Sequence, residues 1–207
     1  MSIGQRLCIL LLGAMVLGVV CSCASLPASA PPVAMAPKAF LFEEDHNNPT
    51  GNRYDGSVSW RNEGVAITAD IEIPDQRMSV QFTLRRNNDK RLPASHTVEI
   101  RFKLPADFSH RGVAEVPGLL MKAKVIQRGE PLFGHAFKVA TNFFTVALAE
   151  ADVQRNVRLL KDRSWFDIPV VYEDGKRSII TIEKSRLATI ESSGFHATPM
   201  IYKMLDD

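Results

Sequence analysis

The strongest structural signal in this chain is an alternation of apolar and polar residues with a period of two. Three segments between residues 65 and 104 show it, and their apolar positions are Val65, Ile67, Ala69, Ile71 and Ile73, then Met78, Val80, Phe82 and Leu84, then Val98, Ile100, Phe102 and Leu104. Successive side chains of a strand point to opposite faces, so this period predicts strands with one buried face and one wet face. Turns rich in Pro, Asp and Asn separate the segments, which favours antiparallel pairing.

Further strands are predicted downstream. Leu119 to Val125 alternates apolar residues with lysines and makes a fourth strand. The segments Phe133–Val139 and Phe143–Ala149 are joined by Ala140-Thr141-Asn142, which predicts another hairpin.

The segment from residue 165 to residue 183 contains two apolar strands around Glu173-Asp174-Gly175. A two-residue turn would mix the two faces of the sheet. A three-residue loop with Gly175 in the left-handed conformation pairs Tyr172 with Lys176 instead, and this loop defines a G1-bulge hairpin. That register collects five apolar side chains on one side: Phe166, Ile168, Val170, Ile180 and Ile182. Pro169 has no N–H for the ladder, so we expect a free edge or a bulge at that point.

One helix is predicted, from about Glu150 to Arg163, with Val153, Val157 and Leu160 on a common face. Acidic residues open this segment and basic residues close it, which suits the helix dipole. The predicted fold class is therefore mainly β: an antiparallel β-sandwich-like domain with one amphipathic helix, after an N-terminal signal or anchor helix.

A chain of 207 residues has room for one sizeable domain and a leader. Four segments are predicted: a signal peptide or membrane anchor at 1–23, a Pro/Ala-rich spacer and acidic linker at 24–53, a β-rich domain at 54–185, and a C-terminal tail of uncertain structure at 186–207.

The leader is apolar but short. Leu7 to Val20 contains fourteen residues without a charge or a proline, whereas a helix needs about 20 apolar residues to span a bilayer. This length favours a processed signal sequence over a membrane span.

The stretch Val20-Cys21-Ser22-Cys23 resembles the lipobox of bacterial lipoproteins. The resemblance places Val20 at −3 and Ser22 at −1, and it makes Cys23 the lipidated residue, although Cys21 at −2 departs from the usual pattern. A retained signal anchor and an ordinary secreted product remain as alternatives. Lipid chains on Cys23 would hold the domain at a membrane surface.

Composition excludes several kinds of chemistry. The formal net charge of +2 lacks the basic excess of nucleic-acid binders, so we expect no nucleic-acid partner. All three cysteines lie in the first 23 residues. The body of the protein therefore has no disulfide, no cysteine-ligated zinc and no cysteine nucleophile.

The histidines do not form a recognisable motif. They are His46, His96, His110, His135 and His196. His96 and Glu99 are three residues apart on a predicted strand, so their side chains point to opposite faces. His135 alternates with phenylalanines and is expected to be a partly buried sheet residue. We therefore predict no catalytic, cofactor-binding or metal-binding residues, no cofactor, and a protein that is not an enzyme.

Two charged stretches allow more than one interpretation. The segment Glu43–His46 could bind a metal, but contiguous acids are more often simply solvated. Arg85–Arg91, with four cations, could touch anionic headgroups, but such a segment also serves as a charged turn that keeps a sheet edge soluble.

Three stretches between Asn87 and Lys184, "LPASHTVEIRFKLPADF", "VPGLLMK" and "LLKDRSWFDIPVVYEDGKRSIITIEK", resemble a family of uncharacterised cell-envelope proteins of alphaproteobacteria. The family has no assigned activity, so the resemblance implies a location and a domain extent only.

Together these features predict a cell-envelope protein that is membrane-anchored through its N-terminus, with the domain facing the periplasm. The expected role is binding or scaffolding, with an unknown protein or an envelope polymer as partner. The alternative is a periplasmic hydrolase or carbohydrate-active enzyme whose carboxylates converge only in space.

Overall fold

The computed structural model describes residues 37–45 and 47–184. The predicted leader, the lipidation site Cys23, His46 and the predicted tail at 186–207 lie outside the described residues. Within the described part of the chain, no helix is long and apolar enough to cross a membrane.

Twelve strands in the described residues form one antiparallel sheet. They are β1 Lys38–Asp45, β2 Asn48–Asn62, β3 Ala66–Ile73, β4 Met78–Arg86, β5 Ala94–Lys103, β6 Val113–Glu115, β7 Leu120–Lys122, β8 Glu130–Pro131, β9 Gly134–Ala140, β10 Phe143–Ala149, β11 Trp165–Tyr172 and β12 Arg177–Glu183. Their order in the sheet is β8-β7-β11-β12-β1-β2-β3-β4-β5-β10-β9, and β6 also pairs with β11. The predicted mainly β class is confirmed.

Three aromatic side chains show how strongly the sheet curls. Phe82 of β4 and Phe166 of β11 are five strands apart in the order, yet their ring centroids lie 5.1 Å apart. Trp60 of β2 contacts both rings, with centroid distances of 6.0 Å. The inner face of the sheet therefore folds over itself around one apolar core, whose burial supplies the main driving force for folding.

The predicted alternation is confirmed in β3, β4 and β5, where the apolar positions from Ile67 to Phe102 are buried. Predicted positions at the two ends of this region differ: Val65 precedes β3 and is 81% exposed, and Leu104 follows β5 and is half-buried. The strand predicted from Leu119 to Val125 is limited to β7, and Lys122, expected to face water, is buried.

The structure corrects the predicted domain boundary. The stretch from Phe40 to Arg53, assigned to a linker by its sequence, forms most of β1 and the first part of β2. β1 lies between β12 and β2, and its Ala39 and Leu41 are fully buried. The prediction is wrong because the outer face of β1 is apolar too: Phe40 stacks on Trp165 with centroids 5.9 Å apart. Apolar residues on both faces hide the period of two.

The predicted hairpin is confirmed in detail. The backbone N–H of Tyr172 donates to the carbonyl of Lys176 at 2.9 Å, and Gly175 has a φ of 85°. On the other edge of β11, β7 pairs with the beginning of the strand and β6 with its end. Pro169 lies between these two pairings, where β11 lacks a partner on that side, as expected for a residue without an N–H.

The predicted helix is present as a 3-10 turn, Glu150–Asp152, followed by α1, Val153–Asp162. Its buried face differs from the prediction. Leu160 is buried as expected, but Val153 and Val157 are only half-buried, and Asn156 is 1% exposed.

Asn156 hydrogen-bonds to the short segment that connects the two end strands of the sheet. Its Nδ2 donates to the Phe133 carbonyl, and its Oδ1 accepts from the Phe133 N–H, both at 2.8 Å. Phe133 lies between β8 and β9, which occupy opposite ends of the strand order. One buried amide thus provides the partners that a neighbouring strand would otherwise supply.

Asn156→Ala should lower the free energy of unfolding by about 2–3 kcal/mol, because it removes both hydrogen bonds of a buried amide to the Phe133 backbone. Urea denaturation measures this change. Gln154→Ala, on the exposed side of the same helix, is the control and should change stability by less than about 0.5 kcal/mol. Equal effects of the two substitutions would contradict this role of Asn156.

Candidate functional site

His96 is a core residue rather than part of a reactive pair. It lies on the inner face of β5 and is 3% exposed, with its Nδ1 3.2 Å from the Ser95 hydroxyl. Glu99 points to the outer face and pairs with Arg85 and Arg101, so the two residues do not converge, as predicted. Burial, reinforced by the charge of Arg86, lowers the pKa of His96 to about 4.

A cluster of ionisable side chains that the sequence did not reveal surrounds His110. His110 Nδ1 is 2.7 Å from Asp174 Oδ2, and His110 Nε2 is 3.3 Å from Glu43 Oε2. The other carboxylate oxygen of Glu43 accepts from Lys176 Nζ at 3.1 Å. We call these four residues the His110 cluster. It ties β1, the loop between β5 and β6, and the β11–β12 hairpin together.

The His110 cluster is only partly covered: His110 and Glu43 are buried, whereas Asp174 and Lys176 reach the surface. The imidazole stacks on Tyr172 with centroids 4.5 Å apart and an interplanar angle of 10°, and Phe108 packs edge-on against it at 5.3 Å. The hydrogen bond with His110 lowers the pKa of Asp174. Burial raises the pKa of Tyr172 to about 12. With both ring nitrogens on carboxylates and one face on Tyr172, the geometry suits a structural clamp.

Glu43 and Glu44 of the acidic stretch have partners within the described structure. Glu43 is 5% exposed and belongs to the His110 cluster, and Glu44 accepts the backbone N–H of Arg177 at 2.9 Å. Among the described residues, no group of three or more potential ligands is arranged to hold a metal ion. These acids join β1 to β12 and are not simply solvated.

A second buried charge pair lies on the outer face of the sheet. Lys122 Nζ of β7 is 2.7 Å from Asp167 Oδ1 of β11. The Thr181 hydroxyl donates to the same carboxylate oxygen at 2.6 Å and accepts from Lys122 at 3.3 Å. The chain at Gly129 packs against this group, since a Cβ there would lie 3.5 Å from Asp167 Oδ2. The three polar groups satisfy one another, as burial requires.

The basic stretch Arg85–Arg91 spans the end of β4 and an ordered turn. The Asn87 side chain donates to the carbonyls of Asp89, Leu92 and Ala94. Two of the four cations are paired, Arg85 with Glu99 and Arg91 with Asp89. These contacts support the interpretation of a charged turn.

Among the described residues, three exposed large apolar side chains lie on or next to β9. Phe137 is 45% and Val139 is 50% exposed, and Phe133 just before the strand is 37% exposed. His135 lies between them on the same face and is exposed, which corrects the expectation of partial burial. An apolar groove of about 360 Å³ continues from Phe133 towards Pro169. We call Phe133, His135, Phe137 and Val139 the β9 surface.

The two ends of the sheet differ in how they are protected. β8 has only two residues, one of them Pro131, so it offers little backbone for pairing. β9 has seven residues without proline, and in the described structure only β10 pairs with it. Its one charged residue, Lys138, reaches the backbone of β6, where it donates to the Val113 carbonyl, and it also pairs with Glu173. The lysine therefore protects part of this edge.

Comparisons with protein-family models, curated proteins and solved structures find no match to this chain. The class of protein supported by its own fold and site is an antiparallel curled-sheet domain with exposed apolar side chains at one end of the sheet.

Because His96 is buried, we expect the folded protein to lose stability at acid pH. Its pKa is 6.5 in the unfolded chain and about 4 in the folded protein. Folding favours the neutral imidazole. The contribution of His96 to the free energy of unfolding is therefore fully present above pH 6.5 and is lost as the pH falls towards 4. The loss should reach about 3 kcal/mol.

Urea denaturation at pH 7 and pH 4 measures this loss. His96→Gln should reduce it by most of that amount, because the amide does not titrate. The matched control, His135→Gln on the exposed face of β9, should keep the acid sensitivity of the unmodified protein. An unchanged pH dependence in His96→Gln would disprove the assignment.

Proposed function

We propose that this protein is a membrane-anchored binding or scaffolding module of the cell envelope, with its β domain facing the periplasm. The leader at Leu7–Val20 and the lipobox-like stretch before Cys23 support the anchor. The sequence from residue 24 to residue 37 contains four prolines and no charge, which is typical of a semi-rigid spacer. The curled sheet, whose inner faces meet at Phe82 and Phe166, is consistent with a sandwich-like domain.

The observation that carries the binding role is the β9 surface. Exposed apolar side chains on a soluble domain mark contacts with other molecules when they are contiguous. Here Phe133, Phe137 and Val139 lie along one side of the segment that forms β9, which makes them suited to an apolar partner surface.

The hydrolase alternative has less support. Such an enzyme needs carboxylates or an imidazole that converge in an open cleft. Of the residues that do converge, Glu43 and His110 are less than 10% exposed and the His110 ring is stacked on Tyr172, so only Asp174 reaches the surface.

Mass spectrometry of the membrane-extracted chain tests the anchor. We expect the mature protein to begin at Cys23 with attached acyl chains, whose methylenes each contribute about 0.8 kcal/mol to membrane binding. Cys23→Ser should release the protein from the membrane fraction or leave it unprocessed. A native chain that still begins at Met1 would contradict a lipid anchor.

Native electrophoresis of the full chain in mild detergent tests the binding role. We expect a complex larger than a single chain, and Phe137→Ser combined with Val139→Ser should weaken it at least tenfold. Ile179→Ser on β12, where Ile179 is 39% exposed, removes a comparably exposed side chain and should leave the complex intact. Migration of the unmodified protein as a single chain would refute a binding role for the β9 surface.

A further inference from the structure

A polar groove of about 450 Å³ lies between the outer face of the sheet and the turn that joins β4 to β5. Its floor consists of side chains from three adjacent strands: Arg85 of β4, Thr97 and Glu99 of β5, and Thr145 of β10. They share one face, because Thr97 is the register partner of Arg85 and Glu99 is the register partner of Thr145. The groove is therefore built on the paired strands of the sheet.

Two threonine hydroxyls in this floor lack a hydrogen-bond partner among the described residues. Thr97 is 7% exposed and Thr145 is 9% exposed, and both line the groove. The threonines Thr68 and Thr83 of the same face differ, because their hydroxyl oxygens lie 3.4 Å apart and bond to each other. A buried hydroxyl without a protein partner costs free energy unless another molecule bonds to it. These two hydroxyls therefore point to a polar ligand.

The charges in the floor of the groove balance one another. Arg85 pairs with Glu99, and the acid of the turn, Asp89, pairs with Arg91. Arg86 also lines the groove, but it is in register with the inward-facing His96, so its side chain belongs to the other face of β4. A phosphate or carboxylate ligand needs a cation without an acid beside it. The balance in the floor favours a ligand without charge.

The backbone of the floor is already used by the sheet. β4, β5 and β10 each pair with a strand on both sides, so a peptide has no strand edge to extend here. The groups that remain are side chains: hydroxyls that donate and accept, guanidinium N–H groups that donate, and carboxylate oxygens with free lone pairs. Neighbouring hydroxyls of a sugar match this mixture, since each of them both donates and accepts.

We propose that this groove binds a neutral saccharide, whose hydroxyl groups bond to Thr97, Thr145 and the Arg85–Glu99 pair. Val65 and Leu92 also line the groove and offer apolar contact to the C–H groups of the sugar. The volume lies in the range of small-molecule sites. The groove includes no residue of the β9 surface, so it adds a second kind of partner to the proposed binding role, and either can fail without the other.

Isothermal titration calorimetry of the full chain, in a detergent without a sugar headgroup, tests this site. The probes are neutral disaccharides of glucose, galactose and N-acetylglucosamine, with a sulfated disaccharide and inorganic phosphate as anionic counterparts. We expect a neutral disaccharide to bind more tightly than either anion. Absence of binding by every neutral probe, or tighter binding of an anion, would overturn the proposal.

The double variant Thr97→Val with Thr145→Val tests the hydroxyls. It should weaken saccharide binding at least tenfold, and its urea midpoint should not fall, because the lost hydroxyls have no partner in the described structure. Thr68→Val removes a hydroxyl that does have a partner and is the control, which should bind the saccharide as the unmodified protein does. Unchanged affinity in the double variant would show that the sugar binds elsewhere.

Glu99→Gln tests the charge balance. It keeps the size of the side chain but leaves Arg85 and Arg101 without their carboxylate, so affinity for the sulfated disaccharide should rise at least tenfold relative to the neutral one. Glu115→Gln, at the exposed end of β6, removes a charge outside the groove and should leave this ratio unchanged. Circular dichroism verifies that both variants are folded. The same ratio in Glu99→Gln as in the unmodified protein would disprove a role for the ion pair in the site.

Discussion

The two ends of one twelve-stranded sheet are joined through only Leu132 and Phe133, and this constraint shapes the rest of the domain. A sheet whose two end strands are joined by such a short segment must curl. The curl brings Phe82 and Phe166 together and creates a single core. At the junction, Leu132 N–H donates to the Leu119 carbonyl and the Phe133 carbonyl accepts from Ala149 N–H, but the Phe133 N–H has no strand partner among the described residues. Asn156 of helix α1 accepts that N–H and also donates to the Phe133 carbonyl.

Two buried charge clusters hold the curled sheet at other points. The His110 cluster joins β1 to the hairpin of β11 and β12, and Lys122 with Asp167 joins β7 to β11. In the second cluster Lys122, Asp167 and Thr181 satisfy one another, which limits the cost of removing them from water. In the His110 cluster, Asp174 and Lys176 reach the surface. The exposed apolar side chains at the β9 end of the sheet are the basis of the proposed binding role.

Local patterns predicted much of the fold. The alternation in β3 to β5 and the left-handed Gly175 of the hairpin needed only neighbouring residues, so both predictions are confirmed. The predictions failed where burial depends on distant segments. Phe40 and Lys122 both lie on the outer face of the sheet, yet both are buried. Trp165 covers Phe40. The chain near Gly129 packs against Asp167, the partner of Lys122. The prediction for His135 was wrong in the other direction: it was expected to be partly buried and is exposed. Among the described residues, no element covers it on the outer side of β9.

The sequence by itself determined the mainly β class, the hairpin register and the break at Pro169, because these follow from side-chain alternation and from backbone chemistry at single residues. Only the tertiary structure decided which strands meet across the core and which apolar side chains stay exposed. It also brought Glu43, His110 and Asp174 together from positions far apart in the chain. Contacts between such distant residues depend on the path of the whole sheet, and no local pattern encodes that path.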